Sequence, residues 1–187
     1  MPGMRVIADQ EQVAQLIERL TAWVGRTVAG HEGGWALVGL KSRGDVLAHR
    51  VAQALPEDTF RGRGAGVGSL DITLYRDDLS EIGPQPVVQT TEIDFAIDGI
   101  NVMLIDDVLM SGRTVRAALA ALLDLGRPRR VWLAVLADRG GRELPICPDF
   151  AALDLRDDPS DEKIKLTIRP IHEKDQLLAV PSPQAEG

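Results

Sequence analysis

The stretch Val102–Thr114, "VMLIDDVLMSGRT", decides the fold. An apolar run of strand type leads into two adjacent carboxylates, Asp106 and Asp107. A loop of small residues follows, Ser111-Gly112-Arg113-Thr114, and then an Ala/Leu-rich segment. The pattern predicts a buried strand over Asn101–Asp106 and a helix over Arg113–Leu125, stopped by Gly126 with Pro128 just beyond. The same alternation extends outward. "WALVGL" (Trp35–Leu40) is a short apolar strand, "KSRGD" follows it, and Val46–Leu55 is helical. "RVWLAVLA" (Arg130–Ala137) is another buried strand. Upstream, Val13, Leu16, Ile17, Leu20, Trp23 and Val24 recur at helical spacing within Gln10–Arg26. Strands alternating with helices predict an α/β domain with a mostly parallel twisted sheet flanked by helices.

Other segments are less regular. "VGSLDITLY" (Val67–Tyr75) alternates and reads as a strand, and Arg76–Asp94, with two prolines, reads as a long loop. "GRGAGVG" (Gly62–Gly68) precedes a strand instead of following one, so it is expected to be a flexible linker. Short strands are expected near Phe150–Leu153 and Lys165–Ile168. One domain is expected over residues 1–180, with a frayed tail over 181–187.

In open parallel sheets, ligands bind beyond the carboxyl ends of the strands. The start of the helix at Ser111–Thr114 offers free N–H groups and a positive dipole end, which suit a phosphate. Gly112 allows close backbone approach, and the Ser111 and Thr114 hydroxyls can donate to phosphate oxygens. Asp106 and Asp107 would repel that phosphate, so vicinal sugar hydroxyls are their natural partner. Phosphate and diol together describe a ribose 5-phosphate group. The plainer alternative is that the aspartates cap the turn while Ser111 and Thr114 serve as N-caps. A Walker loop is excluded, because no GK[ST] follows a long Gly-spaced loop.

The 187 residues carry a formal net charge of -7, which disfavours a generic charge-driven nucleic-acid binder. One cysteine, Cys147, rules out an intrachain disulfide framework and fits a reducing compartment. No apolar run approaches the length of a membrane span, and none reads as a signal peptide, so a cytoplasmic location without membrane contact is expected.

At the level of motifs, "VMLIDDVLMSGRT" resembles the 5-phosphoribosyl-1-pyrophosphate (PRPP) signature of type I phosphoribosyltransferases. "VGLKSRG" (Val38–Gly44), "DITLYRDDL" (Asp71–Leu79) and the run Thr114–Ile146 resemble the PyrR family, which attenuates pyrimidine operons and is also a uracil phosphoribosyltransferase. The resemblance implies the type I phosphoribosyltransferase fold, with a small hood and a mobile flap. Its implied substrates and products are PRPP, uracil, UMP and pyrophosphate. Mg²⁺ would ride on the pyrophosphate through protein ligands the motifs do not specify, and the assembly would be a homo-oligomer, a dimer or higher. Asp106 and Asp107 would hold the ribose hydroxyls, and Met110, Ser111, Gly112, Arg113 and Thr114 would surround the 5-phosphate. Lys41, Ser42, Arg43 and Gly44 would meet the pyrophosphate. Tyr75, Arg76, Asp77 and Asp78 would begin the flap, with Arg76 joining the two aspartates in catalysis. The base would sit near Val135 to Arg139 and the divergent segment after Cys147.

The chain departs from the family in places. Gly141 and Cys147 stand where the family carries a histidine and an arginine, and Met110-Ser111 replaces the common Tyr-Thr. Carboxylates Asp157, Asp158, Asp161 and Glu162 occupy a stretch where the family reads "GKN-PTS". Arg19, Arg139 and Arg142 remain as candidate contacts to a pyr mRNA leader. Two further readings stay open: a non-catalytic attenuator that senses UMP or PRPP, and a phosphoribosyltransferase for another nucleobase.

Overall fold

A computed structural model describes residues 4–61, 66–77, 90–158, 160 and 162–181. Its frame is a five-stranded parallel sheet. The strands are β2 (Trp35–Leu40), β3 (Val67–Leu70), β4 (Asn101–Leu109), β5 (Arg130–Asp138) and β6 (Phe150–Asp154), in the order β3-β2-β4-β5-β6. Strands β2, β4 and β5 are covered on both faces, which is why they read as near-continuous apolar runs. One face packs α1 (Gln10–Ala29) and α2 (Gly44–Ala54) around Trp35, Leu37, Leu47 and Met103. The other packs α4 (Arg113–Leu125) around Val38, Leu104, Ala118 and Leu122. A short α3 (Asp58–Arg61) follows α2.

Local chemistry sets the element ends. Asp9 caps α1 through a capping box, its carboxylate accepting from Gln12 N at 3.0 Å while Gln12 Oε1 accepts from Asp9 N at 3.0 Å. The expected strand over Val67–Tyr75 stops at Leu70. Asp71 Oδ1 accepts from both the Thr73 N–H (2.9 Å) and its hydroxyl (2.6 Å), bending the chain into a 3₁₀ turn at Thr73–Tyr75. Within the expected long loop, Glu92 pairs with Ser69 as an isolated antiparallel bridge, and residues 78–89 lie outside the described residues. So do residues 62–65 of the expected linker, whereas Val67 and Gly68 belong to β3.

A second, three-stranded antiparallel sheet has the order β1-β8-β7, with β1 at Arg5–Ala8, β7 at Lys163–Thr167 and β8 at Gln176–Val180. It shares the core with the large sheet through Ala8, Leu166, Ile168 and Leu177. A polar anchor joins it to α2: Arg50 reaches Asp175 at 2.6 Å and the Arg169 carbonyl at 2.7 Å. None of the described helices is long and apolar enough to cross a membrane.

Candidate active site

Among the five parallel strands, β2 is first in sequence, and its neighbours β3 and β4 lie on opposite sides. The connection leaving β2 therefore winds one way across the sheet and the connection leaving β4 winds the other. The loops leaving these two strands open a crevice at that switch point, the usual ligand site of such sheets. Residues 41–43 leave β2, and residues 110–112 leave β4.

The two loops touch closely. A Cβ on Gly44 would fall 2.5 Å from the Ile105 carbonyl oxygen, so only glycine lets the start of α2 press against β4. The Lys41–Ser42 peptide is cis. Lys41 is nearly buried, its Nζ 3.5 Å from the exposed carboxylate of Glu92. Arg43 places Nη1 3.8 Å from Asp107 Oδ2, while its Nε is buried without a hydrogen-bond partner.

Asp106 and Asp107 sit within β4, near its carboxyl end. Asp106 Oδ1 accepts the Asp107 N–H at 2.9 Å, and Asp107 Oδ1 accepts the Val108 N–H at 2.9 Å. Burial, and then the neighbouring charge of Asp107, push the Asp106 carboxyl well above the usual carboxylate range. Burial also raises Asp107, against the opposing pull of Arg43. Both carboxyls are therefore shifted toward their protonated forms, Asp106 the more strongly. The simple capping reading accounts for one oxygen of each carboxylate; the other oxygen of Asp107 faces Arg43.

Gly112 adopts a left-handed conformation (φ 90°) as the N-cap of α4 and provides no side-chain cap. The Ser111 hydroxyl accepts the Arg113 N–H at 3.3 Å. Thr114 is half-buried at the head of the helix. The positive end of a 13-residue helix thus opens beside Asp106 and Asp107.

Several expected site residues are placed differently. The Arg113 guanidinium turns away from the loop, to Asp77 (2.7 Å) and Glu143 (2.6 Å), so only its backbone remains for a phosphate. Val135 is fully buried in the core on β5, opposite Asp106, and cannot line a base pocket with its side chain. Arg139 and Arg142 do not face solvent as free cations. Arg139 donates to the carbonyls of Ser160 and Glu162. Arg142 reaches Asp138 (2.7 Å), Met110 O (2.8 Å) and Ile146 O (2.8 Å). Arg19 is exposed on α1, and Met110 is half-exposed at the loop. Tyr75 ends the 3₁₀ turn, its hydroxyl on Asp124 at 2.7 Å, and Arg76 follows it, half-buried. Asp78 and Asp161 lie outside the described residues. Sequence reading missed Glu143 as the partner of Arg113, because nothing in local spacing links positions 30 residues apart; it also missed Asp138, although that residue lies only four positions before its partner Arg142.

Comparison with known proteins agrees with this geometry. Residues 5–162 match the family model described as a phosphoribosyl transferase domain. The chain is 52% identical over 176 residues to the bifunctional protein PyrR of Thermus thermophilus, covering 93% of this chain and 96% of that protein. It is 48% identical over 173 residues to the bifunctional protein PyrR of a Roseiflexus species, covering 92% and 91% respectively. In fold it is similar to a hypoxanthine-guanine phosphoribosyltransferase of Bacillus anthracis, with TM-score 0.67, 13% identity, and coverage of 97% of this chain and 100% of that one.

Proposed function

The chain belongs to the PyrR family and carries a phosphoribosyl transferase domain, and on that footing we propose that it transfers the 5-phosphoribosyl group of PRPP to uracil, giving UMP and pyrophosphate. The observation that carries the reading is the meeting, at the β2/β4 switch point, of groups of opposite need: two carboxylates, and a glycine-headed helix N-terminus with Arg43. Asp106 and Asp107 accept the ribose hydroxyls, and the head of α4 receives the 5-phosphate. Lys41 and Arg43 face the pyrophosphate. As the bond from C1 to pyrophosphate breaks, positive charge grows on the ribose and negative charge on the leaving group. The paired aspartates stabilise the first and the two cations the second. Uracil attacks C1 through its ring nitrogen and loses that proton. Arg76, at the rim, is assigned to covering the reacting centre.

Mg²⁺ fits this arrangement as a companion of the substrate. Among the described residues no three His, Cys, Asp or Glu side chains converge as a metal cage. Mg²⁺ is commonly held by substrate phosphates, water and one or two carboxylates, and Asp107 is the partly accessible carboxylate beside Arg43. The ion supplies charge neutralisation on the pyrophosphate.

Binding to a pyr mRNA leader is proposed to be weak. Arg139 and Arg142 are engaged inside the protein, and Asp157, Asp158 and Glu162 add negative charge nearby. A cytoplasmic, homo-oligomeric enzyme remains our reading.

The test is UMP formation from uracil, PRPP and Mg²⁺, with hypoxanthine and orotate as competing bases and Asp107→Asn as the control. UMP made by the wild type and lost in the variant supports the reading. Turnover of another base in preference to uracil refutes the substrate, and PRPP binding without turnover of any base refutes the enzyme.

A further inference from the structure

The loop between β5 and β6 packs along the outer side of the Met110–Arg113 loop. The Ser111 carbonyl accepts the N–H groups of Glu143 (3.0 Å) and Leu144 (3.1 Å). Two adjacent side chains then reach the ends of that loop. Arg142 donates Nη1 to Met110 O at 2.8 Å, at the β4 end. Glu143 holds the Arg113 guanidinium through Nε (2.7 Å) and Nη2 (2.6 Å), at the α4 end. Arg142 is itself fixed by the buried Asp138, whose other oxygen accepts the Gly140 N–H at 3.0 Å.

We propose that Glu143 and Arg142 are positioning residues for the phosphoribosyl substrate, gripping both ends of the Met110–Arg113 loop so that its N–H groups are aimed before the 5-phosphate arrives. This rests on the function proposed above. Neither side chain needs to touch the ligand. The Arg113–Glu143 pair is about half exposed on both sides, so it contributes little to global stability, and its effect is local.

Charge alone predicts the opposite of positioning, which makes the proposal sharp. Glu143 is a negative group near the binding place of an anion. Removing its charge with Glu143→Gln should tighten an anionic ligand if electrostatics governs. If positioning governs, the variant weakens it, because Arg113 loses a charge-assisted partner and the loop loosens. Arg142→Lys keeps the charge but lacks the planar fork that reaches three acceptors, and it should act in the same direction.

The experiment titrates ribose 5-phosphate into wild type, Glu143→Gln, Glu143→Asp and Arg142→Lys by calorimetry, then measures KM for PRPP and kcat. We expect Kd and KM to rise about fivefold in Glu143→Gln and Arg142→Lys, with kcat within about twofold of wild type and Glu143→Asp in between. Unchanged or tighter binding in Glu143→Gln overturns the proposal. So does a large fall in melting temperature in both variants, which would make the grip a folding element. If wild type binds ribose 5-phosphate but makes no UMP, the proposed reaction fails while the binding arm still decides this inference. If wild type does not bind ribose 5-phosphate, both fail.

Discussion

Replacing Asp106 by Asn should make the ligand-free protein more stable at pH 8 while crippling it as a phosphoribosyl binder. Asp106 is 6% exposed, and burial together with Asp107 opposes its ionisation. A carboxyl whose pKa is raised on folding contributes stability fully below its unfolded value, near 3.9. That contribution is lost as pH rises through the folded value. At pH 8 folding must either hold the Asp106 carboxyl protonated or ionise it beside Asp107, and either carries a cost. Asn is isosteric. Its oxygen can keep the bond from the Asp107 N–H, and its amide brings no negative charge beside the Asp107 carboxylate. Neutralising a buried charge with partners kept is worth about 1–3 kcal/mol. In a chain of this size that amounts to a rise of roughly 2–12 °C in melting temperature. Thermal unfolding from pH 4 to pH 8 provides the assay. The variant's advantage should be largest at pH 8 and shrink toward pH 4. Ribose 5-phosphate affinity should fall about 10- to 100-fold, the scale of losing hydrogen bonds to a charged acceptor. A lower melting temperature than wild type at pH 8, or an advantage that grows on acidification, would refute the reasoning.

Other perturbations test neighbouring parts of the argument. Gly44→Ala places a Cβ 2.5 Å from the Ile105 carbonyl; a loss of about 1–3 kcal/mol in urea unfolding is expected, with weaker pyrophosphate binding because Lys41 to Arg43 shift. Asp175→Asn should lower the melting temperature by roughly 3–8 °C through loss of the Arg50 anchor. Burial pushes the Asp175 carboxyl up, but Arg50 and the Arg169 N–H outweigh it and hold it below its ordinary value. Its contribution is therefore present at neutral pH and lost as pH falls through the folded value, and the variant's deficit should vanish in acid. Arg139→Met should release Ser160 and Glu162, seen as faster limited proteolysis at those residues, while changing affinity for a pyrimidine-operon leader RNA by less than about twofold, because its guanidinium is already occupied.

Much of this was legible in the chain because the site is local. The strand, acid pair, loop and helix are contiguous, and the helix Arg113–Leu125 and the strand Trp35–Leu40 fall where apolar periodicity places them. The small sheet was less legible. β1 has only four residues, mostly exposed, and β8 pairs across the length of the chain, so neither carries a strong local signal. Val67–Tyr75 misled because alternation continues past Leu70, while Asp71 bends the backbone through its own side chain. Arginine roles were the least legible. Arg113, Arg139 and Arg142 look alike in sequence as cations available to phosphate, yet acceptors distant in the chain claim each of them.

The contrast between satisfied and unsatisfied groups gives the site its chemical meaning. Away from the crevice α1 has a full capping box, and Arg50 and Asp175 are paired. At the switch point three needs stay open together. The N-cap of α4 is a glycine with no side chain to offer, Arg43 Nε lacks an acceptor, and Asp106 is held where ionisation is costly. A simple phosphate would satisfy the helix and the cation but aggravate the carboxylates. A neutral sugar would serve the carboxylates and leave the helix and the cation bare. A phosphorylated sugar with vicinal hydroxyls and a second anionic group answers all three, and PRPP has that form. The same unmet needs that lower the stability of the empty protein are therefore what select its ligand.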